Sequence, residues 1–152
     1  MTRGLLAALG LRLLLWALPD VAIIPLFCYA PAWLAAAWFN APLETPDLAW
    51  QAGDATFVMA RSCSGETFCA LAAAVLIAGR RWRWMWAAYP LTLAVNTLRV
   101  IAACACAPFI EGTRLEAAAH LGLGILFFLG ALLALSFLNF WRPHHGKTAR
   151  ND

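Results

Sequence analysis

The sequence HLGLGILFFLGALLALSFLNF, His120–Phe140, contains no Asp, Glu, Lys or Arg. An uninterrupted apolar run of about 20 residues predicts a helix that crosses a hydrocarbon core about 30 Å thick. A similar run extends from Trp84 to about Pro108, and a shorter one covers Ser64–Gly79. None of these runs has the apolar–polar alternation of a barrel strand, so they predict membrane helices.

The composition of the whole chain agrees with a membrane protein. Its 152 residues are 63% hydrophobic and 12% charged, whereas soluble domains are about half apolar and about a quarter charged. We therefore expect one all-α, polytopic membrane bundle that forms a single domain over residues 1–152. The net charge of +3 is too small to favour a nucleic acid as partner.

The expected domain has four parts. They are an N-terminal helical region, residues 4–39; a turn-rich extracytoplasmic segment, residues 40–62; three core helices within residues 63–140; and a cytoplasmic tail, residues 141–152. Within the second part, weak alternation around Gly53-Asp54 predicts a small hairpin in Leu48–Ala60.

Basic residues predict the orientation of the bundle. One cluster follows the apolar run Ser64–Gly79 and contains Arg80, Arg81 and Arg83. The other follows Phe140 and contains Arg142, Lys147 and Arg150. The positive-inside bias assigns both clusters to the cytoplasm, so the segment 40–62 and the loop 109–119 are expected outside. Arg3 and Arg12 favour a cytoplasmic N-terminus and four crossings in total. A turn at Pro19-Asp20 would give five.

Three chemically capable side chains are expected near the outer ends of the core helices. Cys63 lies at the start of the apolar run at Ser64–Gly79, and His120 lies at the start of the run that ends at Phe140. Arg99 lies in the outer half of the run from Trp84 to about Pro108. A thiol at a helix N-terminus is a candidate nucleophile. An arginine inside a membrane segment is a candidate for function, and a histidine can act as general base and acid. The structural alternatives are a buried cysteine, a snorkelling arginine and an interfacial histidine.

Four further residues are expected to support these three: Ser64, Gly65, Asn96 and Gly124. Gly65 would leave the backbone open to a substrate. Asn96 precedes Arg99 by three positions, so we expect it to orient the guanidinium from the same helix face. The other cysteines, Cys28, Cys69, Cys104 and Cys106, are expected to be buried small apolar residues. The Cys and His residues lack zinc-ligand spacing, and neither a metal nor another cofactor is expected.

The motifs Cys63-Ser64-Gly65, Asn96-x-x-Arg99 and His120-x-x-x-Gly124, in this order at helix edges, resemble the exosortase/archaeosortase family of membrane cysteine transpeptidases. The resemblance covers about residues 54–138, and the short chain is similar to exosortase K-like members. It implies that Cys63, Arg99 and His120 are catalytic. The position after the CSG motif is commonly apolar in the family, whereas this chain has Glu66.

The resemblance also implies a function. The substrates would be secreted proteins with a C-terminal sorting signal: a short motif, often Pro-Glu-Pro, then a transmembrane helix and a basic tail. They would be cleaved at the outer face of the cytoplasmic (inner) membrane through a thioester on Cys63. The acyl group would then pass to an amine or hydroxyl acceptor, or to water. The implied surroundings are membrane lipid, with no nucleic acid and no cofactor.

Two other classes of protein fit parts of the sequence. A four-helix thiol–disulfide oxidoreductase that exchanges electrons with a quinone would use Cys104 or Cys106 near the outer end of the third helix. Against it stand the absence of a C-x-x-C motif and the lack of a task for Arg99 and His120. A non-enzymatic membrane subunit would use Cys63, Arg99 and His120 only for packing or for contact with a partner protein.

Overall fold

The computed structural model describes residues 2–45, 47–79, 81–110 and 116–140. In these ranges the chain is mostly helical, with one two-stranded antiparallel sheet. The elements are α1 (Thr2–Ala17), α2 (Asp20–Phe27), α3 (Tyr29–Trp38), β1 (Ala49–Ala52), β2 (Ala55–Val58), α4 (Glu66–Ala78), α5 (Ala88–Ile110) and α6 (Glu116–Phe140), with 3-10 turns at Arg61–Cys63 and Trp82–Ala87. Three parts of the topology prediction lie outside the described residues: Arg80, residues 111–115 of the predicted loop 109–119, and the basic tail 141–152. The other residues of that predicted loop belong to α5 and α6.

Three helical segments match the predicted core helices. Within the described ranges, Arg61–Ala78, Arg83–Phe109 and Leu121–Leu138 are long and apolar enough to span a membrane. Helices α5 and α6 contain 23 and 25 residues, which at about 1.5 Å per residue gives about 34 and 37 Å. Both lengths exceed the roughly 30 Å of a hydrocarbon core. The three core helices expected from the apolar runs are thus present, and their length and composition suit a membrane span.

The N-terminal region, for which we expected one crossing or two crossings with a turn at Pro19-Asp20, is sharply bent at that point. Helix α1 has 16 residues, about 24 Å at 1.5 Å per residue, and its axis makes an angle of 114° with that of α2. The break falls at Leu18-Pro19, where the proline ring is incompatible with a continuing helix. A fourth span exists in the described residues only if α1 and α2 are counted together as one broken crossing.

The predicted hairpin is present. Strands β1 and β2 pair in antiparallel register, with Ala49 opposite Val58 and Ala52 opposite Ala55. Gly53, in the two-residue turn between them, has a φ of 65°, which glycine adopts without steric cost. One face of the hairpin packs into the protein, because the side chain of Trp50 in β1 is only 2% exposed.

Two clusters of buried side chains hold the bundle together. In the first, α1 and α2 pack against α4, α5 and α6 around residues such as Phe27, Phe68 and Leu76. In the second, α3 and the hairpin pack against the C-terminal half of α5. The buried face of α3 consists of small residues, Ala32, Ala35 and Ala36. Small side chains at such spacing allow close helix packing, so α3 lies directly against α5.

Candidate active site

Cys63 lies directly before α4. It ends the 3-10 turn Arg61–Cys63, and Gly65 then turns the chain with a φ of 72° before α4 begins at Glu66. The Oγ of Ser64 accepts a hydrogen bond of 3.3 Å from the backbone N–H of Glu66. This bond satisfies one of the free N–H groups at the start of the helix. Cys63 is therefore at the N-terminal end of α4, where we expected it, and Ser64 stabilises that end.

Gly65 is required by both its backbone conformation and its neighbours. Its positive φ lies in the left-handed region, which is unfavourable for residues with a Cβ. A Cβ at this position would also lie 3.2 Å from Cζ of Phe128 and 3.2 Å from Cγ2 of Thr92. The direction in which a Cβ would point from Gly65 is thus occupied by side chains of α5 and α6. Gly65 allows α4 to start in close contact with both helices.

Asn96 on α5 contacts Cys63. Its Nδ2 donates a hydrogen bond of 2.7 Å to the backbone carbonyl of Cys63, and its side chain is fully buried. We expected Asn96 to orient Arg99, one turn further along α5. The structure instead gives the Asn96 amide a main-chain partner in the turn that carries the candidate nucleophile.

Arg99 is half-buried and faces α6. Its guanidinium carbon lies 5.5 Å from the centroid of the Phe128 ring, and its Nη1 would lie 4.0 Å from a Cβ built on Gly124. Gly124 thus leaves room for the guanidinium beside α6. Among the side chains that the structure describes, no carboxylate lies within 4.0 Å of it. A cation–π contact offsets only about 0.5–2 kcal/mol of the cost of burying a charge, so an anionic or carbonyl acceptor in the cavity would stabilise the guanidinium further.

One cavity brings most of the expected residues together. It has a volume of about 1150 Å³ and lies between α1, α4, α5 and α6. Five of the expected site residues line it: Cys63, Ser64, Gly65, Arg99 and Gly124. The remaining wall is largely apolar and includes Leu71 of α4 and Ile125 of α6. A thiol and a guanidinium that are 36 positions apart in the sequence therefore face the same space.

The position of His120 is described, but its side chain is not. The residue belongs to the first part of α6, directly before Leu121 and one helical turn before Gly124. Both of these neighbours line the cavity. The backbone of α6 thus brings position 120 close to the end of the cavity that contains Arg99, while the contacts of the imidazole lie outside the described residues.

An ion network that we did not expect forms one wall of the cavity. Glu66 is only 7% exposed; its Oε1 lies 2.9 Å from Nη1 of Arg12, and its Oε2 lies 3.5 Å from Nη2 of Arg61. We had used Arg12 only to predict topology and had left the role of Glu66 open. Arg12 lies in the apolar helix α1, and a charged residue in such a helix usually needs a partner. The sequence therefore contained an indication that Arg12 forms an ion pair. Glu66 joins α1 to the start of α4.

Arg61 also holds the C-terminal end of α1. Its guanidinium donates to the carbonyls of Leu15 at 3.0 Å and Leu18 at 2.9 Å, and to Oδ1 of Asp20 at 2.8 Å. The last carbonyls of a helix have no intrahelical partner and carry a partial negative charge, so a guanidinium stabilises them. Because Arg61 precedes Cys63 by two residues, the same contacts hold the cysteine turn against the break between α1 and α2.

All five cysteines are free thiols. Cys28, Cys69 and Cys104 are buried as expected, whereas Cys106 is half-buried. Cys63 is also half-buried, and it alone among the five lines the cavity described above. Exposure to that cavity therefore distinguishes Cys63 from the other cysteines.

No family model, curated protein or solved structure matches the chain. The reactions that the site can perform are therefore inferred from its geometry. A half-buried thiol at a helix N-terminus and an arginine without a described carboxylate partner share a largely apolar cavity. Such a site can form a covalent bond to an electrophile and stabilise the negative charge that develops on it.

Proposed function

We propose that the protein is a membrane-embedded cysteine peptidase or transpeptidase that resembles exosortases. The observation that supports this proposal most strongly is that Cys63 and Arg99 line one cavity, with position 120 next to cavity-lining residues of α6. These are the three positions that correspond to the catalytic residues of the family. The local contacts of Gly65 and Asn96 give the other motif residues a physical role in building this cavity.

The proposed reaction begins with attack by the Cys63 thiolate on the carbonyl carbon of a peptide bond. The imidazole of His120 accepts the thiol proton, a C–S bond forms, and the carbonyl oxygen becomes an oxyanion. The N–H groups of Arg99 stabilise this charge, because a guanidinium in a largely apolar cavity interacts more strongly with an anion than it does in water. Among the described side chains, no carboxylate within 4.0 Å competes for these donors.

The second part of the reaction releases the leaving group. His120 gives its proton to the amine nitrogen, the C–N bond breaks, and a thioester remains on Cys63. An amine or hydroxyl acceptor then attacks the thioester and receives the acyl group, or water hydrolyses it. In either case the sulfur leaves as a thiolate and the acceptor's proton passes to His120, so the enzyme returns to its initial state.

The proposed substrates are secreted proteins with a C-terminal transmembrane sorting signal, cleaved at the extracytoplasmic face of the cytoplasmic membrane. The cavity walls support this choice. Leu71 of α4 and Ile125 and Leu129 of α6 line the cavity beside Cys63, and a transmembrane helix would present matching apolar side chains. The scissile bond would then lie at the N-terminal end of α4.

The test of this proposal is the replacement of Cys63 by alanine with a co-expressed, epitope-tagged sorting-signal protein as substrate. We expect processing to stop, while the matched variant Cys106→Ala processes normally because Cys106 is half-buried away from the lining of the cavity. The cleaved product is measured by immunoblot, and its new C-terminus by mass spectrometry. Processing at the normal rate in Cys63→Ala would reject Cys63 as the nucleophile. Loss of processing in Cys106→Ala would favour the thiol–disulfide oxidoreductase.

A further inference from the structure

Asn96 links the candidate nucleophile to the helix that carries Arg99. Its Nδ2 donates to the carbonyl oxygen of Cys63 at 2.7 Å, across 33 positions of sequence. We propose that Asn96 is a positioning residue, which holds the Cys63 main chain at a set distance from Arg99. The mechanistic part of this inference rests on the proposed function; the contact between Asn96 and Cys63 does not.

The Cys63 carbonyl needs a donor from outside its own helix. The hydrogen-bond ladder of α4 starts only with the bond of 3.0 Å from the N–H of Cys69 to the carbonyl of Gly65. The left-handed conformation of Gly65 separates the Cys63 turn from that ladder. A main-chain carbonyl that the helix ladder leaves unpaired needs another donor, and Asn96 supplies this bond. Without it, the turn would lose its anchor on α5.

The amide of Asn96 also has an energetic cost that packing alone does not explain. The side chain is fully buried, and its Oδ1 has no hydrogen-bond donor among the described residues. Leaving a buried acceptor without a partner costs about 1–3 kcal/mol, so an apolar side chain of similar size would suit the helix interface better. The benefit that balances this cost is the bond to Cys63.

The spacing of Asn96 and Arg99 gives this bond a consequence for catalysis. The two residues are three positions apart on α5, so they lie on the same side of one helix. A single rigid segment thus determines the position of the Cys63 turn and the origin of the guanidinium that would stabilise the oxyanion. Loss of the bond should lower kcat rather than raise KM, because the apolar surfaces that would bind the substrate do not change.

The experiment compares Asn96→Asp and Asn96→Ala with Thr97→Val in the full-length protein in membranes. Thr97 is a matched control, because its buried Oγ1 donates to the carbonyl of Leu93 within α5 and not to Cys63. An ionised Asp presents only acceptors to the Cys63 carbonyl. Alanine has no donor either, so both variants remove the hydrogen bond.

We expect kcat to fall about tenfold or more in both Asn96 variants, with KM within about twofold of wild type. Thr97→Val should retain wild-type kinetics. An unchanged kcat in Asn96→Ala, or a raised KM with normal kcat, would overturn the positioning role.

A second measurement needs no substrate and so separates this inference from the proposed function. Alkylation of Cys63 by a small maleimide is followed by peptide mass spectrometry in the same variants. Release of the turn should raise the Cys63 rate by about threefold to tenfold in Asn96→Ala, with no change in Thr97→Val. An alkylation rate equal to wild type in Asn96→Ala would overturn the positioning role even if processing fails. Conversely, a raised rate together with normal processing in Cys63→Ala would uphold the contact and reject the proposed function.

Discussion

Replacement of Gly65 by alanine should strongly destabilise the protein, because one methyl group meets two separate obstacles. The φ of 72° costs an L-residue about 1–2 kcal/mol. The added Cβ would lie 3.2 Å from both Thr92 and Phe128, and overpacking of this kind costs about 1–3 kcal/mol. The total is about 2–5 kcal/mol. At about 2–4 °C per kcal/mol for a chain of this size, Tm should fall by about 4–20 °C.

The assay is thermal unfolding of the detergent-solubilised protein, with Gly10→Ala as the matched control. A Cβ on Gly10 meets nothing within 4 Å, and the residue lies inside α1. Alanine there should raise the stability by about 0.5–1 kcal/mol. If Gly65→Ala unfolds within about 1 °C of wild type, the close approach of α4 to α5 and α6 at this glycine is refuted.

Two further substitutions test the charged groups of the cavity. Arg99→Lys keeps the charge but loses the planar fork of donors, so we expect substrate processing to fall by about 10²-fold with normal membrane insertion; processing near the wild-type rate would argue against an oxyanion role. Glu66→Gln removes the negative charge of a side chain that is only 9% exposed, so Arg12 and Arg61 lose their ion pairs with it. We expect the free energy of unfolding to fall by about 1–3 kcal/mol in the thermal assay. Asp20→Asn, at a side chain 64% exposed, should cost less than about 1 kcal/mol, and equal effects of the two changes would contradict the buried tie between α1 and α4.

The core helices could be predicted from the sequence because their signal is local and continuous. The apolar runs at residues 84–108 and 120–140 are each long enough, as helices, to cross a hydrocarbon core, and the structure has α5 and α6 there. The hairpin was also predictable, since Gly53 marks its turn between two short segments of extended chain. In both cases the neighbouring residues alone determine the conformation.

The path of the N-terminal region depends on residues that are distant in sequence. Pro19 indicates a break, but the orientation of α2 relative to α1 also depends on Arg61, which bonds to the end of α1 and to Asp20 from 41 to 46 positions away. No periodicity in residues 4–39 contains that information. For this reason the sequence alone leaves both one and two crossings open for this region.

Part of the candidate site could be predicted from local sequence, and part depends on contacts between distant residues. The motifs identified the residues, and helix ends predicted that Cys63 would lie at the start of α4. The partner of Asn96 could not be predicted, because the amide can donate either along its own helix or across the interface. The turn at Gly65 directs the Cys63 carbonyl towards α5 and decides between these possibilities.

The most direct test of the central claim is a search for a covalent acyl intermediate. The protein is co-expressed with a sorting-signal substrate, quenched in acid to preserve thioesters, digested and analysed by peptide mass spectrometry. We predict a substrate-derived acyl group on the peptide that contains Cys63 and on no other cysteine peptide, and we predict that this adduct is absent in Cys63→Ala. An adduct on a different residue, or substrate cleavage that continues in Cys63→Ala, would contradict the assignment of Cys63 as the nucleophile.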